Sequence, residues 1–171
     1  MRIIFFRFSL LLTSLFFLAS VVHAQSKKEN GLVWYNDVNK ANEVSLKTKK
    51  PIFAFFTGSD WCGWCHKLQR EVFAKKEFEN WAKKNVVLLE IDFPRNKKLP
   101  KEIVEQNASL QEAFKVQGYP TIWIFFLEKN AEKKFNISPL GSLGYPEGAE
   151  AGKEEVKFLA NANAVLKKKK P

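Results

Sequence analysis

Cys62 and Cys65 are the two cysteines of a 171-residue chain, and two residues stand between them. A continuous apolar run, Ile52 to Phe56, comes before them, followed by a turn, Thr57-Gly58-Ser59-Asp60. After them His66 to Phe73 reads as a continuing helix with Leu68 and Val72 on one face. A sulfur at a helix start meets unpaired backbone N–H groups and the positive end of the macrodipole, both of which favour thiolate over thiol. The thiolate is the nucleophile. A thiol of pKa about 8.5 is only about 3 % ionised at pH 7, whereas one near 7 is about half ionised. With the second sulfur one helical turn on, the pair can exchange disulfides: Cys62 attacks a foreign disulfide, and Cys65 displaces Cys62 from the mixed disulfide. Run backwards, the same steps oxidise a dithiol. Cysteines this close in sequence cannot staple distant segments, which excludes a structural disulfide framework.

Two rival chemistries use the same residues. Cys62-Gly63-Trp64-Cys65-His66 fits covalent haem attachment, but a haem held by His66 commonly needs Met or His on its other face. The candidates are His23 and Met1, both in a leader segment described below. Zinc needs about four ligands, mostly Cys or His, and beyond the leader the chain offers Cys62, Cys65 and His66. Neither a metal nor another cofactor is expected. His66 reads as a partly exposed helix residue able to raise the positive potential beside Cys65, and Asp60 as a turn or N-cap residue. Trp61 and Trp64 could form an apolar platform for a substrate peptide.

The elements that must position this pair follow from period and punctuation. Leu32-Val33-Trp34 suits a short strand. Val38, Ala41, Val44 and Leu46 are spaced for a helix ending before Pro51. Ile52 to Phe56, Val86 to Ile91 and Thr121 to Leu127 are continuous apolar strands, so Phe53, Phe55, Phe125 and Phe126 read as core. Glu77 to Lys84 is helical, Asp92 to Pro100 a basic loop, and Lys101 to Lys115 a helix on Ile103, Val104, Leu110, Ala113 and Phe114 that Asn107 to Ser109 could divide. Lys133 to Ile137 is a weaker strand and Pro139 to Gly148 a Gly/Pro-rich stretch. Glu154 to Leu166 is an amphipathic helix carrying Val156, Leu159, Ala160 and Val165. Strands too apolar to be half exposed, alternating with helices, imply an α/β domain with helices on both faces of a central sheet.

Residues 1–24 read as a secretory signal: Arg2 and Arg7, the apolar run Phe8 to Ala19, and Val22-His23-Ala24 at the cleavage site. A run of about 12 apolar residues is short of the roughly 20 that span a bilayer. No cysteine follows the cleavage site, which argues against a lipoprotein. Residues 25–171 then form one domain, able to bury about two thirds of its unfolded surface. The formal charge of +10 falls to about +8 without Arg2 and Arg7, and its lysines are dispersed apart from Lys167 to Lys170, a basic C-terminal tail. With no nucleic-acid motif beside it, that tail reads as solvated rather than as a nucleic-acid site.

Taken together, Gly58-Ser59-Asp60-Trp61-Cys62-Gly63-Trp64-Cys65, the preceding strand Pro51 to Phe56, Gly118-Tyr119-Pro120-Thr121 and Leu143-Gly144-Tyr145 make the chain resemble the thioredoxin superfamily, in particular its exported bacterial members. The resemblance covers most of the chain after the leader. It implies a thioredoxin fold, a mixed sheet flanked by helices, and a thiol–disulfide oxidoreductase with Cys62 as nucleophile and Cys65 as resolving thiol. It further implies a cis Pro120 facing the pair, with the Tyr119 backbone, Trp61, Gly63 and Trp64 meeting substrate. Two departures stand out. Phe56 occupies the position of the buried acid that moves the proton of the second cysteine, and Gly63-Trp64 replaces Gly-Pro. Potentials of such pairs span about −270 to −120 mV, so the motif does not set direction.

The implied partners are exported proteins bearing disulfides or thiols, and a redox partner protein that could be membrane-bound; a monomer is expected, in the periplasm or secreted. A competing class is a thioredoxin-fold peptide-binding or chaperone module with regulatory cysteines.

Overall fold

The computed structural model describes residues 26–129 and 135–167. The leader and Lys168 to Lys170 lie outside the described residues. Six strands form one mixed sheet in the order β1-β2-β4-β3-β5-β6: β1 (Ser26–Glu29), β2 (Leu32–Tyr35), β3 (Ile52–Thr57), β4 (Val87–Asp92), β5 (Thr121–Lys129) and β6 (Phe135–Leu143). β2, β4 and β3 run parallel, and β5 pairs antiparallel with β3. The outer strands β1 and β6 close the sheet by antiparallel pairing.

Among the described residues five α-helices cover the two faces: α1 (Val38–Thr48), α2 (Gly63–Leu68), α3 (Lys76–Asn85), α4 (Lys101–Ala113) and α5 (Glu154–Lys167). All six residues of β3 are buried, as a central strand covered on both sides requires. Its period of two sorts them: Phe53 and Phe55 join Trp34, Leu68, Phe73, Phe78 and Phe158 on the side of α2, α3 and α5. Ile52, Ala54 and Phe56 join Ala41, Leu110 and Phe114 on the side of α1 and α4. The first cluster is a mesh of aromatic rings, with Phe73 stacked on Phe78 at 4.6 Å and edge-on to Phe55 at 5.1 Å. This mesh is the floor beneath the cysteine helix.

Several sequence expectations need correction. β1 had no apolar signal, all four of its residues being exposed; it exists by pairing with β2, and Lys27 reaches Glu90 on β4 at 2.7 Å. The helix beginning at α2 passes at Gln69–Phe73 into a π-helical turn, which swings Val72 and Phe73 into the core. α4 is unbroken at Asn107, a buried residue whose amide donates to the Asp92 carbonyl at 2.9 Å. The strand expected to end at Ile137 runs on through the start of the Gly/Pro-rich stretch as far as Leu143; a shift in register between Ile124 and Phe125 accommodates it. Pro139 fits because β6, among the described residues, has only one sheet neighbour.

Helix faces also differ. Leu46 and Val104 are exposed, and α1 buries Asn42 and Ser45 instead. Ala113 is exposed as well, while α5 buries Phe158, Ala162 and Val165 and leaves Val156 and Ala160 outside. Phe126 is half-buried rather than core.

Candidate redox site

The cysteine pair lies where β3 ends and α2 begins. Thr57 closes the strand, and the backbone N–H groups of Trp61 and Cys62 both donate to the Gly58 carbonyl, at 3.1 and 2.8 Å. Cys62 is the N-cap of α2 in extended conformation, and its Sγ accepts from the Cys65 N–H at 3.2 Å. The helix terminus thus points an unshared donor at the first sulfur, which stabilises negative charge there. Cys62 and Cys65 are joined as a disulfide. Cys65 is wholly buried, while Cys62 keeps 5 % of its surface. Of the two residues, Cys62 is therefore the one with any contact with solvent.

Two aromatic groups frame the pair. On one side the Trp61 indole N–H donates to the Phe93 carbonyl at 2.8 Å, its ring lies under the Arg95 guanidinium at 4.0 Å, and its edge meets Tyr119 at 5.8 Å. Phe93 stacks on Tyr119 at 5.3 Å, and the Tyr119 hydroxyl accepts from the Gln111 amide at 2.8 Å. Partial burial lifts the Tyr119 phenol above its ordinary range. The Tyr119–Pro120 peptide is cis. Gly58 is where this side is tightest: a Cβ there would stand 2.3 Å from Trp61 Cε2.

On the other side Trp64, 56 % exposed, meets Tyr145 edge-on at 5.2 Å, with the Lys67 ammonium over both rings. The Tyr145 hydroxyl donates to Glu71. That bond holds the Glu71 carboxyl below the usual range, while loss of hydration, and then the same bond, raises Tyr145.

Acidic residues pin the loop behind Trp61. Asp60 accepts from the backbone N–H groups of Arg95 and Asn96, at 2.9 and 2.7 Å, which lower its carboxyl. It is a brace for a distant loop and not a helix N-cap. Asp92 accepts from the Ser59 N–H and hydroxyl at 2.8 and 2.6 Å. The His66 Nε2 lies 2.8 Å from the Ser59 carbonyl oxygen, and the His66 side chain is exposed.

Of the residues expected at the site, Trp61 and Gly63-Trp64 flank Cys62 in the chain, Tyr119 packs against the cluster that holds both cysteines, and Gly63 is exposed with nothing within 4 Å of where its Cβ would be. Phe56 is fully buried, edge-on to Phe114 at 6.1 Å, in the cluster on the α1–α4 side rather than the one holding the sulfurs. Strand alternation puts the Thr57 hydroxyl on the sulfur side; it is buried and has no hydrogen-bond partner among the described residues. Phe93, Arg95, Gln111, Lys67 and Glu71 escaped sequence reasoning. They lie in a loop or on helix surfaces, and nothing local marks them as neighbours of the cysteines.

Comparisons with known proteins agree with this geometry. A family model described as thioredoxin-like domain matches residues 38–138. Disulfide bond reductase DsbH of Chlamydia pneumoniae is 35 % identical over 106 residues, covering 62 % of this chain and 64 % of that protein. Thioredoxin-related protein DsbJ of the same organism is 26 % identical over 148 residues, covering 86 % of this chain and 41 % of that one. The chain therefore spans less than two thirds of either relative. A solved structure of a DsbH oxidoreductase superimposes with a TM-score of 0.63 at 32 % identity, over 80 % of this chain and 85 % of that one.

Proposed function

The chain belongs to the thioredoxin-like domain family, and from that premise we propose that it is an exported thiol–disulfide oxidoreductase acting on other exported proteins as a disulfide reductase. The observation that carries this reading is the unequal pair at the head of α2: Cys62 keeps a 5 % opening to solvent and has a helix N–H aimed at its sulfur, while Cys65 is sealed off entirely. The direction leans on the similarity to a protein named a disulfide bond reductase.

In the reduced domain the Cys62 thiolate attacks one sulfur of a substrate disulfide, forming a mixed disulfide and releasing the other substrate sulfur as thiolate, which takes a proton from water. Cys65 loses its proton and attacks Cys62 Sγ. The Cys62–Cys65 bond forms, the mixed disulfide breaks, and the second substrate sulfur leaves as thiol. Two electrons have passed to substrate. A dithiol protein of lower potential must then return the pair to its reduced state. With Phe56 at the position of the usual acid, the proton of Cys65 leaves by another route than a buried carboxylate of β3.

Export rests on residues 1–24. No helix among the described residues is long and apolar enough to cross a membrane. The decisive experiment replaces Cys65 by Ser and exposes the protein to an extract of exported proteins. Mixed disulfides should accumulate on Cys62 and vanish on reduction. A variant that binds peptides yet forms no such adducts would instead favour the peptide-binding reading.

A further inference from the structure

Against Tyr119 is a cleft that the disulfide exchange does not use. It has a volume of about 340 Å³ and lies between the β4–α4 loop and α4, lined by Phe93, Pro94, Leu99, Val104 and Ala108, with Lys97 at its rim. That size falls within the range of ligand-binding clefts. It adjoins the site through two contacts: Phe93 is its wall and also stacks on Tyr119, and Gln111 lines it while donating to the Tyr119 hydroxyl. Val104 is 51 % exposed there, an apolar side chain that shares its helix face with Ala108 and Gln111. Clefts of about 200 and 400 Å³ at the β2 edge and between α1 and α4 touch none of these residues.

Charge identifies what fits. Arg95, Lys97 and Lys98 are consecutive exposed cations, save for Asn96, in the loop that forms the cleft mouth. Two carboxylates from neighbouring elements hold this loop, Asp60 accepting from the Arg95 and Asn96 N–H groups and Asp92 from Ser59. The loop presents apolar walls and three exposed cations to whatever lies along Tyr119–Pro120, while the one carboxylate of the cleft lining, Asp92, is buried and turned to Ser59.

Resting on the reductase reading above, we propose that this cleft is a specificity subsite for the polypeptide substrate: it takes an apolar side chain neighbouring the reacting cysteine, and its Lys97 rim selects an acidic residue next to that side chain. Apolar area removed from water supplies most of the affinity; the rim pairs, being exposed, add a smaller and salt-sensitive preference.

The test uses pre-reduced full domain and synthetic peptides carrying one cysteine as a mixed disulfide with a chromogenic thiol, with Leu or Gly and Glu or Lys scanned on either side. Hydroxyethyl disulfide, too small to reach the cleft, is the control. Wild type should react about tenfold faster with the best Leu/Glu peptide than with its Gly/Lys counterpart. Ala108→Trp, filling the cleft from an exposed position, should erase the Leu preference, as should Val104→Asp by polarity instead of bulk. Lys97→Glu should reverse the charge preference by about three- to fivefold. All three should match wild type on hydroxyethyl disulfide. Variants that keep wild-type peptide preferences overturn the subsite. A wild type inert toward both peptides and hydroxyethyl disulfide overturns the reductase reading instead. Peptide binding, followed by tryptophan fluorescence with the same variants, then still decides the cleft: binding weakened in the variants upholds it, and unchanged binding refutes it.

Discussion

Replacing Gly58 by Ala should cost about 2 kcal/mol of stability, and nearly all of that cost should run through one side chain. The added Cβ would meet the Trp61 indole at 2.3, 2.5 and 2.7 Å. A rigid ring wedged against a buried strand end cannot yield by a small bend, so Trp61 must leave its position. Leaving forfeits the indole hydrogen bond to Phe93, worth about 0.5–1.5 kcal/mol. It also forfeits the Arg95 stack, about 0.5–1 kcal/mol at an exposed site, and the edge contact with Tyr119, about 0.5–1.5 kcal/mol. These terms share one ring and do not add fully. Against them stands a gain of about 0.4–1 kcal/mol from restricting the unfolded chain, available because Gly58 does not need left-handed backbone. Urea unfolding of Gly58→Ala, Trp61→Ala and the double variant measures the cycle. With Trp61 already Ala, the substitution at Gly58 should be neutral or slightly stabilising. An equal loss in both backgrounds would refute the reasoning, because the strain would then lie in the backbone and not against the indole.

Two further outcomes follow from the site. Asp60 has a folded-state carboxyl pKa below its ordinary 3.8 because backbone N–H groups hold its ionised form; a depressed acid contributes stability above the unfolded value and loses it as pH falls through the folded one. Asp60→Ala should therefore be less stable than wild type at pH 7, with the difference closing as the pH drops below about 3.8, and Arg95 and Asn96 should lose amide-exchange protection at neutral pH. Protection unchanged in the variant would show that Asp60 does not hold the loop. Phe56→Ala should cost about 3–5 kcal/mol in urea unfolding, as large-to-small changes in a full core do, yet leave the rate of Cys62 attack on a small disulfide within about twofold. A slowed attack in protein that is still folded would mean that Phe56 reaches the sulfurs after all.

The parts of the fold visible in sequence are those whose apolar runs are long and uninterrupted. β3, β4 and β5 are buried on both faces, so almost every residue carries the signal. The redox pair was visible because its spacing is local. What stayed hidden depends on partners far along the chain. β1 is a strand because β2 offers it hydrogen bonds, not because Ser26–Glu29 prefers one. β6 absorbs Pro139 and Gly141 because it needs only one neighbour and because α5 packs closely there, with Val165 Cγ1 3.2 Å from where a Gly141 Cβ would be. In α1 the apolar period favoured Leu46, but the buried face carries Ser45, whose hydroxyl caps the Lys50 carbonyl beyond the helix. Trp61 meets Phe93 and Arg95 across more than thirty residues, a contact that no window on the sequence contains.

The two outermost strands decide where a visiting chain can attach. β1 is four residues long with two adjacent lysines, and β6 carries a proline that has no N–H to offer; short, lysine-bearing or proline-bearing borders resist the addition of another strand. A sheet with open borders would otherwise be drawn into aggregates through its own margins. With both margins blunted, neither border of the sheet offers an extended chain an open run of hydrogen-bonding groups to pair with.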